Sequence, residues 1–586
     1  MNSLSQKQSG TLTGFSIELS IANQLLGRNS SLINVPFLNY LQGIRSRAGA
    51  GPVVRVGGNS QESTEIFLET FQPHHEFLNK TVIPGTITPE VNIALDLFYA
   101  MSNISTFVDV QWYAGLPFAA PLNLSGIATM TAYAEQVLGD NLIALQLGNE
   151  PDLYVSPTGT RPTGYSIQNF MSEWNQSIQV MQQDSAITNE SILIGPSICC
   201  DIDGQWSIDQ VINAGYISTF NKQLKQLAVQ YYPNDNCAGY NPPTAQSIFP
   251  NYLMHTMATN SVRQYLNASV VAQKAGKPFI MFETNTASCA GFPGLSDSFG
   301  AALWSEDYTL QLAYVNFTNV LFHFGGQNSS YNPFTPPPSN WSQALNNMWS
   351  TGPVYYSALM VTEALGSSNQ SQIVDLTLNN NNPYTVGYAI YENGNPMRVV
   401  LINFMNDPTG ASDFTATVAI GGGTSGQPAA NPTSATVRYL SAPSVTEKRN
   451  ITWAGQSWGA LFSSDGRPQG NVSTLTVQCN SNNGCPVKVP APGAALVFLS
   501  DQSVTESGPG TLTETFTTSV YKYPNEPTIA QAVLATSNGR GGKGQPPQLL
   551  DTSKGQGNGD PLGASVSVLC ILLAALGASI GLLLRG

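Results

Sequence analysis

What most limits the fold of this 586-residue chain is a succession of eight short segments, each apolar along its length rather than alternating. They are Phe15–Leu19, Val53–Gly57, Phe107–Trp112, Ile143–Leu147, Ile192–Ile198, Leu227–Tyr232, Phe279–Phe282 and Val320–Phe324. Between them lie longer stretches, such as Met171–Gln183 and Trp304–Asn316, whose apolar residues recur at the period of an amphipathic helix. A continuously apolar strand is buried on both faces, and strands alternating with helices form a parallel sheet covered on both sides. Eight such units within residues 1–366 predict a (β/α)8 TIM barrel. The alternative is an open doubly wound sheet, but no glycine-rich phosphate turn follows the first strand.

From residue 367 the texture changes. Val386–Tyr391, Arg398–Asn403, Thr415–Ile420, Ala435–Leu440, Leu475–Cys479 and Ala494–Leu499 follow one another through Gly/Asn/Pro turns with no helix between them. That pattern predicts an antiparallel β-sandwich over 367–500. Two motif matches here carry no chemistry. Gly455-Gln-Ser-Trp-Gly459 fits G-x-S-x-G, but a nucleophile elbow needs a strand–turn–helix setting. Gly421-Gly-Gly-Thr-Ser-Gly426 fits G-x-G-x-x-G, yet it opens no helix.

Residues 501–563 are Ser/Thr/Gly/Pro-rich and read as a stalk and linker; 564–584 contains no charged residue. The latter is long enough to cross a bilayer. With its polar spacer it predicts either a lipid-anchor (GPI) signal, with Ser553 or Asn558 as attachment site, or a plain transmembrane anchor. Membrane attachment through this tail is the expectation either way. Met1–Gly10 is polar and shows no apolar signal core, so the expectation is that a leader is missing from the start.

Acidic residues outnumber basic ones 36 to 23, for a net charge of −13. Nucleic acid is therefore excluded as a default partner, because binding through counterion release needs clustered Lys and Arg. Four histidines, His74, His75, His255 and His323, leave little room for a multi-histidine metal site, and no metal or cofactor is expected. The seven cysteines include no C-x-x-C pair, which removes zinc-ribbon and thioredoxin readings. Cys479 and Cys485 bracket a short polar loop and read as a local disulfide; Cys199, Cys200, Cys237 and Cys289 offer one or two more bridges, unpaired by sequence. Thirteen Asn-x-Ser/Thr sequons point with the disulfide to the secretory pathway, and to an extracellular or cell-surface protein.

The chemistry is carried by two glutamates. The fourth apolar run ends Leu147-Gly-Asn149-Glu150-Pro-Asp152, and the seventh ends Phe282-Glu283-Thr284. In a barrel of this kind active residues gather at the C-terminal ends of the strands. Two carboxyls converging there can run a double displacement on a glycoside, one protonating the leaving oxygen while the other attacks the anomeric carbon. Either glutamate alone would be an ordinary loop or capping carboxylate. The pair, placed beyond strands four and seven, is the specific signal.

These motifs resemble glycoside hydrolase family 79, the β-glucuronidase and heparanase-like group of retaining (β/α)8 glycosidases. Leu295-Ser-Asp-Ser-Phe299, Gly14-Phe-Ser-Ile-Glu18, Arg55-Val-Gly-Gly-Asn59-Ser60 and Ala491-Pro-Gly-Ala-Ala-Leu-Val-Phe498 add to the resemblance, which runs from about Gly14 to Leu499. It implies Glu150 as general acid/base, Glu283 as nucleophile and Asn149 as the amide on the sugar 2-hydroxyl. It also implies that Tyr231, or its neighbour Tyr232, orients the nucleophile. Gly325, Gly326 and Tyr331 would hold the substrate carboxylate with backbone N–H groups and a phenol. One departure is Gly58-Asn-Ser-Gln61-Glu62, where some relatives carry an aspartate; Glu62 is the expected replacement, with a longer reach.

The implied activity is exo-acting removal of β-linked glucuronate, or its 4-O-methyl form, from extracellular glycans. The rival within the clan is a β-glucosidase or β-xylosidase without a carboxylate pocket. Endo-cleavage of a sulfated polyanion would want basic subsites, whereas Arg55 and Arg161 are the few cations near predicted strand ends. The rival from outside enzymology is an inactive sugar-binding surface glycoprotein.

Overall fold

The computed structural model describes residues 4–82, 88–201, 204–237, 241–327, 329–337, 349–421, 432–459, 462–482, 484–508, 510 and 512–517. Ser553, Asn558, Cys570, the 564–584 tail and most of the Gly421–Gly426 loop lie outside them. Among the described residues no helix is long and apolar enough to cross a membrane.

Eight parallel strands close into a barrel: β1 (Thr13–Glu18), β2 (Val53–Gly57), β3 (Gln111–Leu116), β4 (Leu142–Leu147), β5 (Leu193–Ile198), β6 (Leu224–Tyr231), β7 (Phe279–Thr284) and β8 (Asn319–Phe324), with β8 pairing back onto β1. The third differs from its sequence reading of Phe107–Trp112. The preceding helix runs on to Val108, Asp109 ends it in the left-handed region at φ 58°, and Phe107 is an exposed helical residue. Around the strands lie α1 (Val35–Ala48), α2 (Asp96–Val108), α3 (Leu124–Leu138), α4 (Ile167–Gln183), α5 (Tyr216–Phe220), α6 (Leu266–Lys274), α7 (Phe299–Tyr314) and α8 (Pro353–Leu365). Local sequence sets their ends. Asn123 caps α3 by accepting from the Gly126 N–H at 2.9 Å, and Ser166 and Asn169 form a reciprocal cap on α4.

The C-terminal region is an antiparallel sheet of β9 (Ser371–Asp375), β10 (Thr385–Glu392), β11 (Asn395–Asn403), β17 (Gly493–Phe498), β13 (Ser434–Ser441) and β14 (Thr452–Trp453) in that spatial order, with β15 (Leu475–Gln478) also paired to β13. A hairpin-like pair of β12 (Phe414–Ala419) and β16 (Gly484–Val489) forms the second layer. Strand parity separates the two faces. Val399, Leu401, Val437 and Val497 pack with Val487 and Val489 of the second layer. Val400, Ile402, Leu496 and Phe498 point the other way and join the core of the barrel.

That docking changes two helices. The reading of Trp304–Asn316 as amphipathic predicts a solvent face, yet every residue of α7 from Phe299 to Ala313 is buried, and so is all of α8. The sheet covers the side that would otherwise meet water. Residues beyond 500 also differ from a free stalk. Asp501–Glu506 is a helix whose Glu506 meets Arg398 at 3.3 Å, and the Phe516 N–H donates to Asn39 on α1 at 2.8 Å.

Glu363 on α8 ties the two halves together. Its carboxylate accepts from Arg47 of α1 at 2.7 Å, from Arg438 of β13 at 2.6 Å and from the Trp453 indole of β14 at 2.8 Å. Removing one member of a buried ion cluster strands the others without compensation. Glu363→Ala should therefore lower the unfolding free energy by about 3–5 kcal/mol, read as a reduced denaturation midpoint.

Candidate active site

Strand parity decides what fills the barrel. Val53, Tyr113, Ala144, Ile194, Ala228, Ile280, Phe282 and Leu321 form its apolar interior. Two residues farther toward the C-terminal mouth, the same inward parity brings in polar side chains: Arg55 on β2, Gln146 on β4, Gln230 on β6 and His323 on β8. Ser16 on β1 joins them, its Oγ 3.0 Å from His323 Nδ1.

Arg55 is the centre of this layer, with no exposed surface. Its Nε donates to Gln146 Oε1 at 2.9 Å, Nη1 to Ser16 Oγ at 2.9 Å and to Glu283 Oε2, and Nη2 to Asn149 Oδ1 at 2.6 Å. The guanidinium lies over the Phe282 ring at 4.8 Å. A buried cation persists only when paired and hydrogen-bonded, and the planar fork of arginine satisfies two acceptors in a fixed relation. Here those acceptors are Glu283 and Asn149.

Glu283 reaches the interior through a break in the pleat. Phe282 already faces inward, so strict alternation would send Glu283 outward. The pairing of β7 shifts register against β6 between Val229 and Gln230, and against β8 between Met281 and Thr284. Such irregularities re-aim side chains next to active sites. Asn149 is held as tightly. Its Oδ1 accepts from Arg55, from Gln146 at 3.1 Å and from Gln230 at 2.8 Å, while Nδ2 donates to Asn59 Oδ1 at 2.9 Å. With the oxygen committed to a cation, the amide can offer only N–H to a ligand.

Glu150 follows Asn149 in the left-handed region, φ 51° and ψ 57°, and its N–H donates to Ser197 O at 3.1 Å. Glu62 accepts from the Asn149 N–H at 2.7 Å and from the Tyr154 hydroxyl at 3.0 Å. As placed, its carboxylate braces the turn that carries Glu150.

Of the tyrosine pair, Tyr231 is corrected to Tyr232. Leu227, Val229 and Tyr231 share the outward parity of β6, and the Tyr231 ring packs edge-on against Tyr265 in the helical layer. Tyr232 falls on the inward side and its hydroxyl donates to Glu283 Oε1 at 2.8 Å. The glycines need a correction too. Gly325 and Tyr331 are neighbours, since a Cβ on Gly325 would sit 2.5 Å from the phenol oxygen, but the Gly325 N–H donates to Asn332 Oδ1 at 3.2 Å. It is not a free donor; Gly326 follows at φ 89°.

The two glutamates differ in charge. Burial pushes the Glu150 carboxyl well above its ordinary value, and the nearby Glu283 and Asp152 carboxylates push it further. Burial acts on Glu283 in the same direction but is outweighed, so its carboxyl lies below the ordinary value. His323 and Arg55 lower it by their charge, and hydrogen bonds from Arg55 and Tyr232 add to this; burial in turn lowers His323 itself to about 4. Burial also raises two further carboxyls to about 7: Glu18, which accepts from the Ser60 and Asn59 N–H groups at 2.8 and 3.2 Å, and Glu62. One protonated and one ionised carboxyl, both buried at the barrel mouth, can respectively give a proton and attack an electrophile.

Sequence reasoning gave Arg55 no role beyond a scarce cation and a motif of the resemblance, and placed none of Gln146, Gln230 and His323 in the site. A signal was present: each is a lone polar residue inside an apolar strand, in Val-Arg-Val, Leu-Gln-Leu, Val-Gln-Tyr and Phe-His-Phe. The disulfides are Cys199–Cys200, Cys237–Cys289 and Cys479–Cys485.

Because Glu150 binds its proton more tightly in the native state than unfolded, its contribution to stability is full below the unfolded pKa and lost as pH rises through the native one. Glu150→Gln, which cannot ionise, should therefore gain stability over the parent at pH 8, with the gain shrinking toward pH 4. Denaturation midpoints of both proteins at the two pH values check this.

Comparison with known proteins follows the same lines. Residues 387–496 match the glycosyl hydrolase family 79 C-terminal β domain. A β-glucuronidase of Aspergillus niger is 26% identical over 522 residues, covering 83% of this chain and 90% of the relative. A β-glucuronidase of Neurospora crassa is 26% identical over 426 residues, covering 68% and 72%. The fold is shared with a 4-O-α-L-rhamnosyl-β-D-glucuronidase from Fusarium oxysporum solved with Rha-GlcA, at a TM-score of 0.68 and 20% identity, covering 85% of this chain and 97% of that one. It is also shared, more distantly, with a family 51 arabinofuranosidase from Xanthomonas axonopodis pv. citri, at a TM-score of 0.54 and 12% identity, covering 85% and 98%. These likenesses support glycoside hydrolase family 79, whose C-terminal β domain is matched by residues 387–496.

Proposed function

We propose that this protein is a retaining exo-acting β-glucuronidase that releases β-linked glucuronate, or its 4-O-methyl form, from extracellular glycans. What supports the mechanism is a pair of buried carboxyls in opposed surroundings, Glu283 held by Arg55 and Tyr232 and lowered, Glu150 beside it and raised. Glu283 attacks the anomeric carbon while the Glu150 carboxyl passes its proton to the glycosidic oxygen, and the leaving group departs. Glu150, now ionised, takes a proton from water, which attacks the same carbon and frees Glu283. The Asn149 N–H faces the sugar 2-hydroxyl, a contact that strengthens as charge develops on the ring.

The glucuronate reading is supported by the named activities of the relatives and by the neutral donor of Tyr331, whose ring lies 6.4 Å from that of Tyr232 beside the nucleophile. Burial holds the Tyr331 phenol in its protonated, donating form. Attack on a highly sulfated chain is disfavoured because both cations near the mouth are committed: Arg55 to Glu283 and Asn149, Arg161 to Glu173 at 3.0 Å and to Phe118 O at 2.7 Å. Export is supported by the three disulfides and by the sequons. None of the sequon asparagines among the described residues is buried, and Asn79, Asn103, Asn123, Asn175, Asn267 and Asn450 are exposed. Attachment through residues 564–584 completes the reading of a surface enzyme.

The test is hydrolysis of matched 4-nitrophenyl β-glucuronide, β-glucoside and β-xyloside. Wild type should turn over the glucuronide alone, and Glu283→Gln should lose roughly 10,000-fold or more in kcat. Turnover of a neutral sugar instead would keep the mechanism and overturn the substrate. Glu150→Gln should lose about 100- to 10,000-fold on a glucuronide whose leaving group needs protonation, and far less on glucuronosyl fluoride, whose leaving group needs little.

A further inference from the structure

Beyond β5 the chain forms a bridge between adjacent residues, Cys199–Cys200, which nothing in the mechanism above uses. Its setting ties it to the catalytic acid. The Ser197 carbonyl receives the Glu150 N–H, and the Asp152 carboxylate accepts the N–H groups of Cys199 at 3.0 Å, Cys200 at 2.7 Å and Asp201 at 3.1 Å. The turn after β5 is thereby bolted to the turn after β4. Both sulfurs lie within 4.8 Å of an Asp152 carboxylate oxygen, and Cys200 is exposed while Cys199 is half-buried. The disulfide therefore stands at the open mouth of the barrel, next to the turn that delivers the proton.

The general acid acts on the leaving-group oxygen, so the surface on its side of the mouth is the surface the leaving group meets. A disulfide between neighbours closes a small ring with no strong hydrogen-bond donor and a polarisable face, suited to the flat apolar side of another ring. We propose that Cys199–Cys200 is a contact platform for the leaving group, taking the C–H face of the next sugar ring, or an aryl ring in its place. The inference rests on the glucuronidase reading given above. It adds a specificity determinant on the far side of the scissile bond, contributed by β5 rather than by either catalytic strand. The three backbone bonds to Asp152 keep that platform in register with Glu150, so binding of the leaving group and its protonation are positioned by one rigid unit.

The test compares the full-length Cys199→Ser/Cys200→Ser double variant with wild type on two glucuronyl donors: phenyl β-glucuronide, whose leaving group carries a ring, and glucuronosyl fluoride, whose leaving group carries none. The expected result is a fall of about tenfold or more in kcat/KM for the phenyl glucuronide, mainly through KM, with less than about twofold change for the fluoride. A fall on the phenyl glucuronide carried by kcat rather than KM would make the bridge a brace for Glu150, an equal fall on both donors a brace for Glu283 or the fold, and no change on either a surface ornament; each overturns the proposal. Cyclohexyl β-glucuronide distinguishes a sugar-like saturated ring from an aryl one, and its loss should equal or exceed that of the phenyl compound. Should the variant fold poorly, phosphine reduction of the wild-type protein supplies the second readout. Phenyl β-glucoside at high concentration should slow reduction of Cys199–Cys200 at least twofold and leave Cys479–Cys485 unaffected, as read by mass spectrometry of alkylated peptides. Absence of protection contradicts the proposal. Inactivity of wild type on every glucuronide would instead defeat the glucuronidase reading, which separates the two failures.

Discussion

The Arg55 guanidinium, sealed inside the barrel, is the interaction on which the site depends. It fixes Glu283 on one arm and Asn149 on the other, and it donates also to Gln146 and Ser16. Without a cation there, burial alone would drive Glu283 toward the neutral form, as it does Glu150, and the site would hold two acids and no nucleophile. Burial and the Glu283 charge raise Glu150 in turn, outweighing the lowering effect of Arg55 on it. The contrast between the two carboxyls thus rests on groups from strands that carry neither glutamate, Arg55 on β2 and His323 on β8.

The shell around this cation is made rigid by the fold. Turns after β4 and β5 are fastened by Glu62, Asp152 and Ser197, and turns after β6 and β7 by the Cys237–Cys289 bridge. On the far side, α7 and α8 are clamped between the barrel and the C-terminal sheet, with Glu363 joining α1, α8, β13 and β14. Among the described residues the β domain supplies none to the network around Arg55. Its part is to bury the outer faces of two barrel helices, and those helices flank β8, which carries His323.

Much of this was legible in sequence, and what was not has physical reasons. Continuous apolar runs ending in Asn149-Glu150 and Glu283 pointed to the barrel and to its two carboxyls, because burial on both faces and position at a strand end are local properties. The choice between Tyr231 and Tyr232 turned on strand parity, which a doubled tyrosine conceals. The commitment of Gly325 to Asn332 depends on a side chain seven residues away in a loop. The burial of α7 on all sides depends on a domain some 60 residues or more downstream, a tertiary effect that no helical period records. Arg55 was visible as a charge but not as an organiser, since its four partners come from β1, β4, the turn after β4 and β7. Only the closed barrel brings those together.

The central claim is that Glu283, ionised by Arg55, forms a bond to the sugar. Incubating the protein with 2-deoxy-2-fluoro-β-glucuronosyl fluoride, then mapping its peptides by mass spectrometry, tests this directly, because the fluorine slows release of a covalent intermediate. The account predicts one fluoroglucuronosyl group, attached at Glu283. An adduct on Glu18 or Glu150, or turnover with inversion at the anomeric carbon and no adduct at all, would contradict it.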